Sequence, residues 1–227
     1  MEKEHKVPPI RRVRQHVNPL SSKYSIPATA PKWDDIYANP QRPLHLDIGC
    51  AKGDFVRDMA QQVTDWNFLG LEIRAPLVER SLIRRDRAIA EGAPKNLHFI
   101  FCNANNSLKS VLKSYPGSLQ CVSIQFPDPW FKKRHQKRRV VQPELVSVLA
   151  ELMPEGGMVW LQSDIEEVCL EMCDRFNENP NFERDNFKRD GNHWLPDSPF
   201  PAKTDRERVG EEKGLAVFRA RYFLKKM

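Results

Sequence analysis

The chain has 227 residues, 40% hydrophobic and 29% charged. These are ordinary globular values, enough for one domain with a substantial core. No apolar run approaches the roughly 20 residues of a membrane span, and the charged N-terminus lacks a signal-peptide core. Cys50, Cys102, Cys121, Cys169 and Cys173 form no CxxC pair and no zinc-like spacing, so no metal is expected and a reducing, cytoplasmic setting is.

Residues 1–40 are rich in proline and basic groups and read as a flexible arm, with a short helix over Trp33 to Tyr37. Met1 to Arg14 holds five Lys or Arg against two Glu. Residues 41–227 read as the folded domain. Leu44 to Ile48 is a strand ending in glycine, Asp54 to Val63 a helix, and Phe68 to Ile73 a second strand. Pro76 to Glu91 has a proline suited to a first helical turn and a long amphipathic body. A strand over Leu97 to Cys102 precedes a short helix over Ser107 to Ser114. The strand Cys121 to Phe126 leads to a helix over Pro143 to Leu152. The strand Met158 to Gln162 is followed by a helix over Ile165 to Phe176, where Cys169 and Cys173 read as core. Phe182 to Phe187 and Ala216 to Leu224 supply a final pair of strands. Such alternation predicts an α/β fold with a mostly parallel central sheet and helices on both faces.

In open parallel sheets ligands bind beyond the carboxyl ends of the strands. The first strand runs into Asp47-Ile48-Gly49-Cys50-Ala51-Lys52-Gly53. Gly49 and Gly53 let backbone approach a ligand closely ahead of a helix N-terminus, although many strand-to-helix turns need glycine for geometry alone. The spacing is neither GxGxxG nor a phosphate-binding lysine loop, which argues against a nicotinamide dehydrogenase. Glu72 ends the second strand, where an acid typically accepts from the ribose hydroxyls of an adenosine cofactor. Asn103 ends the third strand, where an amide can read an adenine edge. Asn105 and Asn106 suit turn formation equally well.

The fourth strand delivers Phe126-Pro127-Asp128-Pro129-Trp130. The prolines restrict the backbone on both sides of Asp128, so its carboxylate is aimed. Lys132 to Arg139 follows with six Lys or Arg and no acid, and so accounts alone for the net charge of +6. A concentrated basic patch points to a phosphate-bearing partner, although charge runs are also common on plain solvated surface. Arg134, Lys137, Arg138 and Arg139 are the candidate phosphate contacts. His135, within this run, reads as one more polar contact.

With these residues aligned, the chain resembles the bacterial tRNA (guanine-N7)-methyltransferases. These belong to the Rossmann-like methyltransferases that use S-adenosyl-L-methionine. The resemblance covers Leu44 to Tyr222 and Arg14-Gln15-His16-Val17-Asn18-Pro19 in the arm, and the block Asp128 to His135 is its most specific part. It implies a Rossmann-like sheet with an antiparallel C-terminal strand, and tRNA as partner. It also implies that Asp47, Glu72, Asn103 and Asp128 bind the cofactor, with Asp128 also catalytic; Gly49 and Gly53 join them as the loop that lets backbone approach it. Lys132, Asp164 and the run Thr204, Asp205, Arg206 and Glu207 match the family's substrate-contacting positions. Four departures stand out. Asp47 replaces the usual glutamate, Asn103 the usual aspartate, Ala51 a glycine, and Arg206 an expected aromatic residue.

Guanine N7 carries a free in-plane lone pair, so no proton must leave before it attacks a methyl donor. The chemistry then needs alignment, and a carboxylate near the purine where positive charge develops. Trp130 either stacks on an extruded base or plugs the core. Two other readings remain at this point: a methyltransferase for exocyclic amines, and a non-catalytic RNA-binding module that retains the fold.

Overall fold

The computed structural model describes residue 13 and residues 16–185 and 193–225. Arg11, Arg12 and Arg14 of the arm lie outside the described residues, as do residues 186 and 187 of the penultimate predicted strand.

Seven strands form one sheet in the order β3-β2-β1-β4-β5-β7-β6. β1 (Leu44–Ile48), β2 (Asn67–Glu72), β3 (Leu97–Phe101), β4 (Leu119–Gln125) and β5 (Met158–Ser163) are mutually parallel. β7 (Phe218–Leu224) runs antiparallel to β5 and to the short edge strand β6 (Phe182–Arg184). β1 and β2 are buried along their whole length, as strands covered on both faces must be. The strand order reverses direction between β1 and β4, and a crevice opens at their carboxyl ends.

The helices are α1 (Trp33–Ile36), α2 (Asp54–Gln62), α3 (Ala75–Ala90), α4 (Ala104–Leu112), α5 (Pro143–Leu152), α6 (Glu166–Asn177) and α7 (Asp205–Glu212). α3 and α5 each carry proline in the first turn, where no backbone donor is lost. The main core joins the inner faces of β1, β4 and β5 with α4, α5 and α6, and a second cluster packs α2 against β2 and β3.

Two expectations change here. Trp33 and Tyr37 are buried core residues, stacked on each other and set edge-on to Tyr115. The end of the expected arm is therefore part of the folded body. α7 was not predicted at all: Asp205 to Glu212 has little apolar face, and its attachment to the sheet is polar.

Candidate active site

One cavity of about 640 Å³ lies across the carboxyl ends of the strands, within the roughly 300–1,000 Å³ of small-molecule sites. Asp47, Gly49, Glu72, Asn103 and Asp128 line it, as do Asp164, Thr204, Asp205 and Arg206. It therefore brings together expected residues from five strand ends and the start of α7, but not Gly53, Lys132 or Glu207.

The loop after β1 is held in an unusual backbone path. Gly49 and Gly53 have φ of 84° and 70°, and Ala51 between them also has a positive φ of 50°. The amides of Gly49 and Cys50 both donate to the Leu71 carbonyl, at 2.8 and 3.0 Å, and Ala51 N donates to Glu72 Oε2 at 2.9 Å. These bonds pin the loop to the end of β2. Gly53 starts α2 and is not part of the cavity wall.

Glu72 is buried and uses both oxygens. Oε1 accepts from Arg74 N and Nε, and Oε2 from Ala51 N and Arg74 Nη2, all at 2.9 Å. Asp47 is buried as well. Its Oδ1 accepts from the Ser123 hydroxyl at 2.6 Å and from Gln125 Nε2 at 3.2 Å. Burial pushes its carboxyl from 3.8 up to about 6, against the lowering effect of these two bonds, and the Glu72 charge adds to the rise. The single hydroxyl proton of Ser123 is committed to Asp47, so the His45 Nε2 contact at 2.9 Å makes that nitrogen the donor. Burial lowers His45 to about 3, so the imidazole is neutral and brings no charge to Asp47.

Asn103 caps α4 through Asn105 N at 3.2 Å and donates Nδ2 to the Pro19 carbonyl at 3.2 Å. Its amide thus ties the segment around Pro19 to the cavity. Asn105 and Asn106 likewise bond backbone, at Val140 O (2.9 Å) and Tyr24 O (2.7 Å). Cys50 and Cys102 also line the cavity, but burial raises both thiols, Cys102 to about 12, so neither supplies a thiolate.

After β4 the backbone bends sharply. Phe126 and Trp130 have positive φ of 48° and 42°, a conformation costing on the order of 1–3 kcal/mol at a non-glycine residue. Asp128 sits between them, partly exposed, with His16 Nδ1 2.8 Å from its Oδ1. His16 also lines the cavity and approaches Trp130, with ring centroids 6.2 Å apart. The sequence carries a single signal for His16, the arm motif from Arg14 to Pro19. Trp130 is further flanked by Arg138, 5.0 Å from its ring centroid, and by His135, 5.7 Å away and edge-on. A base stacked on Trp130 would have to share a ring already contacted by three neighbours.

The basic run divides into two groups. Lys132, Lys133, Arg134 and Lys137 are exposed around a six-residue 3-10 helix over Lys133–Arg138, and Lys132 is not on the cavity wall. Arg138 packs on Trp130. Arg139 departs from the expectation of a phosphate contact: it is only 5% exposed and bonds the Pro129 carbonyl at 2.7 Å, with Glu167 and Glu171 beside it.

Asp164 follows β5 and accepts from Arg206 Nε and Nη2 at 2.9 and 2.7 Å. The arginine in place of an aromatic residue thus closes an ion pair at the cavity wall. Thr204 caps α7 by accepting from Glu207 N at 3.1 Å. Glu207 was expected to contact substrate, but it is 1% exposed and absent from the cavity wall. It accepts from Arg219 Nη2 at 2.8 Å and Gln162 Nε2 at 3.3 Å. Gln162 in turn donates to Gln125 Oε1 at 2.8 Å, and Gln125 reaches Asp47. A buried polar chain therefore runs under the cavity from β7 through α7 to Asp47.

Among the described residues no cluster of His, Cys, Asp and Glu is arranged to hold a metal ion, and no helix is long and apolar enough to cross a membrane.

Strand order and cavity together define a Rossmann-like methyltransferase. Residues 41–220 match the family model described as "Putative methyltransferase". Solved structures of similar fold include the 16S rRNA methyltransferase KamB, at TM-score 0.57 and 12% identity over 86% of this chain and 93% of that one. The aminoglycoside resistance methyltransferase NpmB1 aligns at TM-score 0.56 and 17% identity over 83% and 88%. Sequence relatives are far nearer. The tRNA (guanine-N(7)-)-methyltransferase of Trichormus variabilis is 54% identical over 213 residues, 93% of this chain and 95% of that protein. The protein of the same name from Synechococcus elongatus is 54% identical over 92% of this chain and 94% of its own. The chain belongs to the bacterial tRNA (guanine-N7)-methyltransferase family.

Proposed function

We propose that this protein transfers the methyl group of S-adenosyl-L-methionine to N7 of a guanosine in tRNA, in the cytoplasm. The observation that carries the reading is that Asp128 and Asp164 share one cavity with the Gly49 loop and Glu72. Residues suited to a nucleoside cofactor and residues suited to a reacting base thereby face the same space.

The cavity fits such a cofactor. Gly49 lies on its wall, and a Cβ added there meets no atom within 4 Å, so the loop leaves open space where a ligand's backbone contacts belong. The carboxylates of Asp47, Glu72, Asp128 and Asp164 suit a cationic ligand that also carries hydroxyl donors. Bound there, S-adenosylmethionine supplies an electrophilic methyl group. Glu72 would hold the ribose hydroxyls, which take the place of the Arg74 guanidinium on its oxygens. Asp47, fixed by Ser123 and Gln125, would add a second carboxylate to the cavity wall beside the glycine loop.

Asp128 carries out the electrostatic part. Guanine N7 needs no base, so the carboxylate orients the purine and opposes the positive charge that grows on it. Asp164 and Arg206 form an ion pair on the wall of the same cavity, where the polar edge of a guanine can exchange hydrogen bonds with the pair. Exposed Arg134 and Lys137, with Lys132 beside them, take the phosphates of the tRNA and fix its position.

Purified protein, unmodified tRNA and labelled S-adenosylmethionine test the reading directly. Calorimetry should show cofactor binding, and Asp128→Ala should lose at least ~100-fold in methyl transfer while tRNA binding survives. Cofactor binding without transfer would leave the non-catalytic RNA-binding reading standing. Near-normal turnover in the variant would remove Asp128 from the mechanism.

A further inference from the structure

Pro127 and Pro129 have no backbone N–H, so the Asp128 loop can be tied down at few points. Phe126 N donates to the Gln162 carbonyl of β5 at 2.8 Å and fixes one end. At the other end, Arg139 Nε donates to the Pro129 carbonyl at 2.7 Å. The same guanidinium reaches α6 with its remaining nitrogens: Nη1 bonds Glu171, and Nη2 lies 3.3 Å from Glu167 Oε1. Glu167 and Glu171 are four residues apart and therefore share one face of the helix. The Arg139 carbonyl accepts from Gln142 Nε2 at 2.9 Å, which steadies its backbone.

We propose that Arg139 is a positioning residue for methyl transfer, clamping the Asp128 loop to α6 instead of binding tRNA phosphate. The inference rests on the catalytic role given above to Asp128. The planar fork meets three acceptors, the Pro129 carbonyl and two carboxylates of α6, while the residue is nearly withdrawn from solvent. α6 starts two residues after Asp164, so the clamp also fixes the spacing between the two carboxylates that line the cavity. Phe126 and Trp130 hold left-handed conformations that the chain would relax if the loop were released. Relaxation would move Asp128, and displacements near 1 Å at a reacting centre cost on the order of 100-fold in rate.

The test compares R139K and E171Q with wild type and D128A, measuring kcat at saturating tRNA and cofactor, cofactor affinity, and the salt dependence of tRNA binding. Lysine keeps the charge a phosphate contact needs but loses the fork. R139K should therefore lose at least ~10-fold in kcat, with cofactor affinity and salt slope as in wild type. E171Q retains Arg139 and loosens its anchor, so it should lower kcat by about 3-fold with no gain in tRNA affinity, and it carries the test if R139K fails to fold. Wild-type kcat in R139K, or tighter tRNA binding by E171Q through a released Arg139, would overturn the clamp. An active D128A would instead fault the role of Asp128 on which the inference rests.

Discussion

Asp47→Asn should make the ligand-free protein more stable, and more so at pH 8 than at pH 5. In the folded protein the carboxyl is pushed from 3.8 to about 6, chiefly by burial, and neutral His45 offers no compensating charge. A carboxyl raised by folding contributes most below about pH 3.8 and loses that contribution as pH rises through about 6. Each pH unit between the two values carries about 1.36 kcal/mol. By pH 8 the ionised side chain therefore opposes folding by roughly 3 kcal/mol, about half of which is already present at pH 5. Asparagine keeps an acceptor for Ser123 and Gln125 but cannot ionise. The stability gap between variant and wild type should consequently widen by roughly 1–2 kcal/mol from pH 5 to pH 8, with most of the change complete by pH 7. Urea denaturation followed by tryptophan fluorescence at several pH values measures it, and independent titrations cancel in the difference. A gap that stays constant from pH 5 to pH 8 would refute the burial argument. The same variant should bind S-adenosylmethionine more weakly, so stability and function oppose each other at this residue.

Glu72→Ala should weaken cofactor affinity by about 1.5–3 kcal/mol, the range for hydrogen bonds to a charged group, and activity should recover at saturating cofactor. Unchanged affinity by calorimetry would place the ribose elsewhere. Replacing Arg134 and Lys137 together with alanine should flatten the slope of log K against log salt for tRNA by up to ~1.4, at about 0.7 per contact to single-stranded RNA. A wild-type slope would show those side chains to be plain surface. Gln125→Leu removes the link between Asp47 and Gln162 at the cavity edge, and should weaken cofactor binding by about 1 kcal/mol with tRNA affinity intact. Equal cofactor affinity in the variant would separate that chain from the site.

The sheet was legible because β1, β2 and β4 are short apolar runs closed by Gly49, Glu72 and the Pro127-Asp128-Pro129 turn, and tertiary context had little left to decide. α7 was not, because it is anchored by Glu207 to Arg219 and Gln162 and not by an apolar stripe. Its one local signal was the capping-box spacing of Thr204 and Glu207, which the structure uses on the threonine side. The cavity-lining positions Asp47, Glu72, Asn103 and Asp128 could be read because each lies at or just after the carboxyl end of a strand. Arg139 could not, since a buried arginine and an exposed one look alike within a charge run. Only the fold brings Glu167 and Glu171 beside it. His16 was hidden for a related reason: its contact with Asp128 spans 112 positions and lies beyond any local pattern.

N7 methylation is decided by which atom receives the methyl group. Unmodified tRNA incubated with the purified protein and S-adenosylmethionine, then digested to nucleosides and resolved by mass spectrometry, identifies that atom. The wild-type protein should yield N7-methylguanosine, and Asp128→Ala almost none. A methyl group on an exocyclic amine, or none despite cofactor binding, would contradict it.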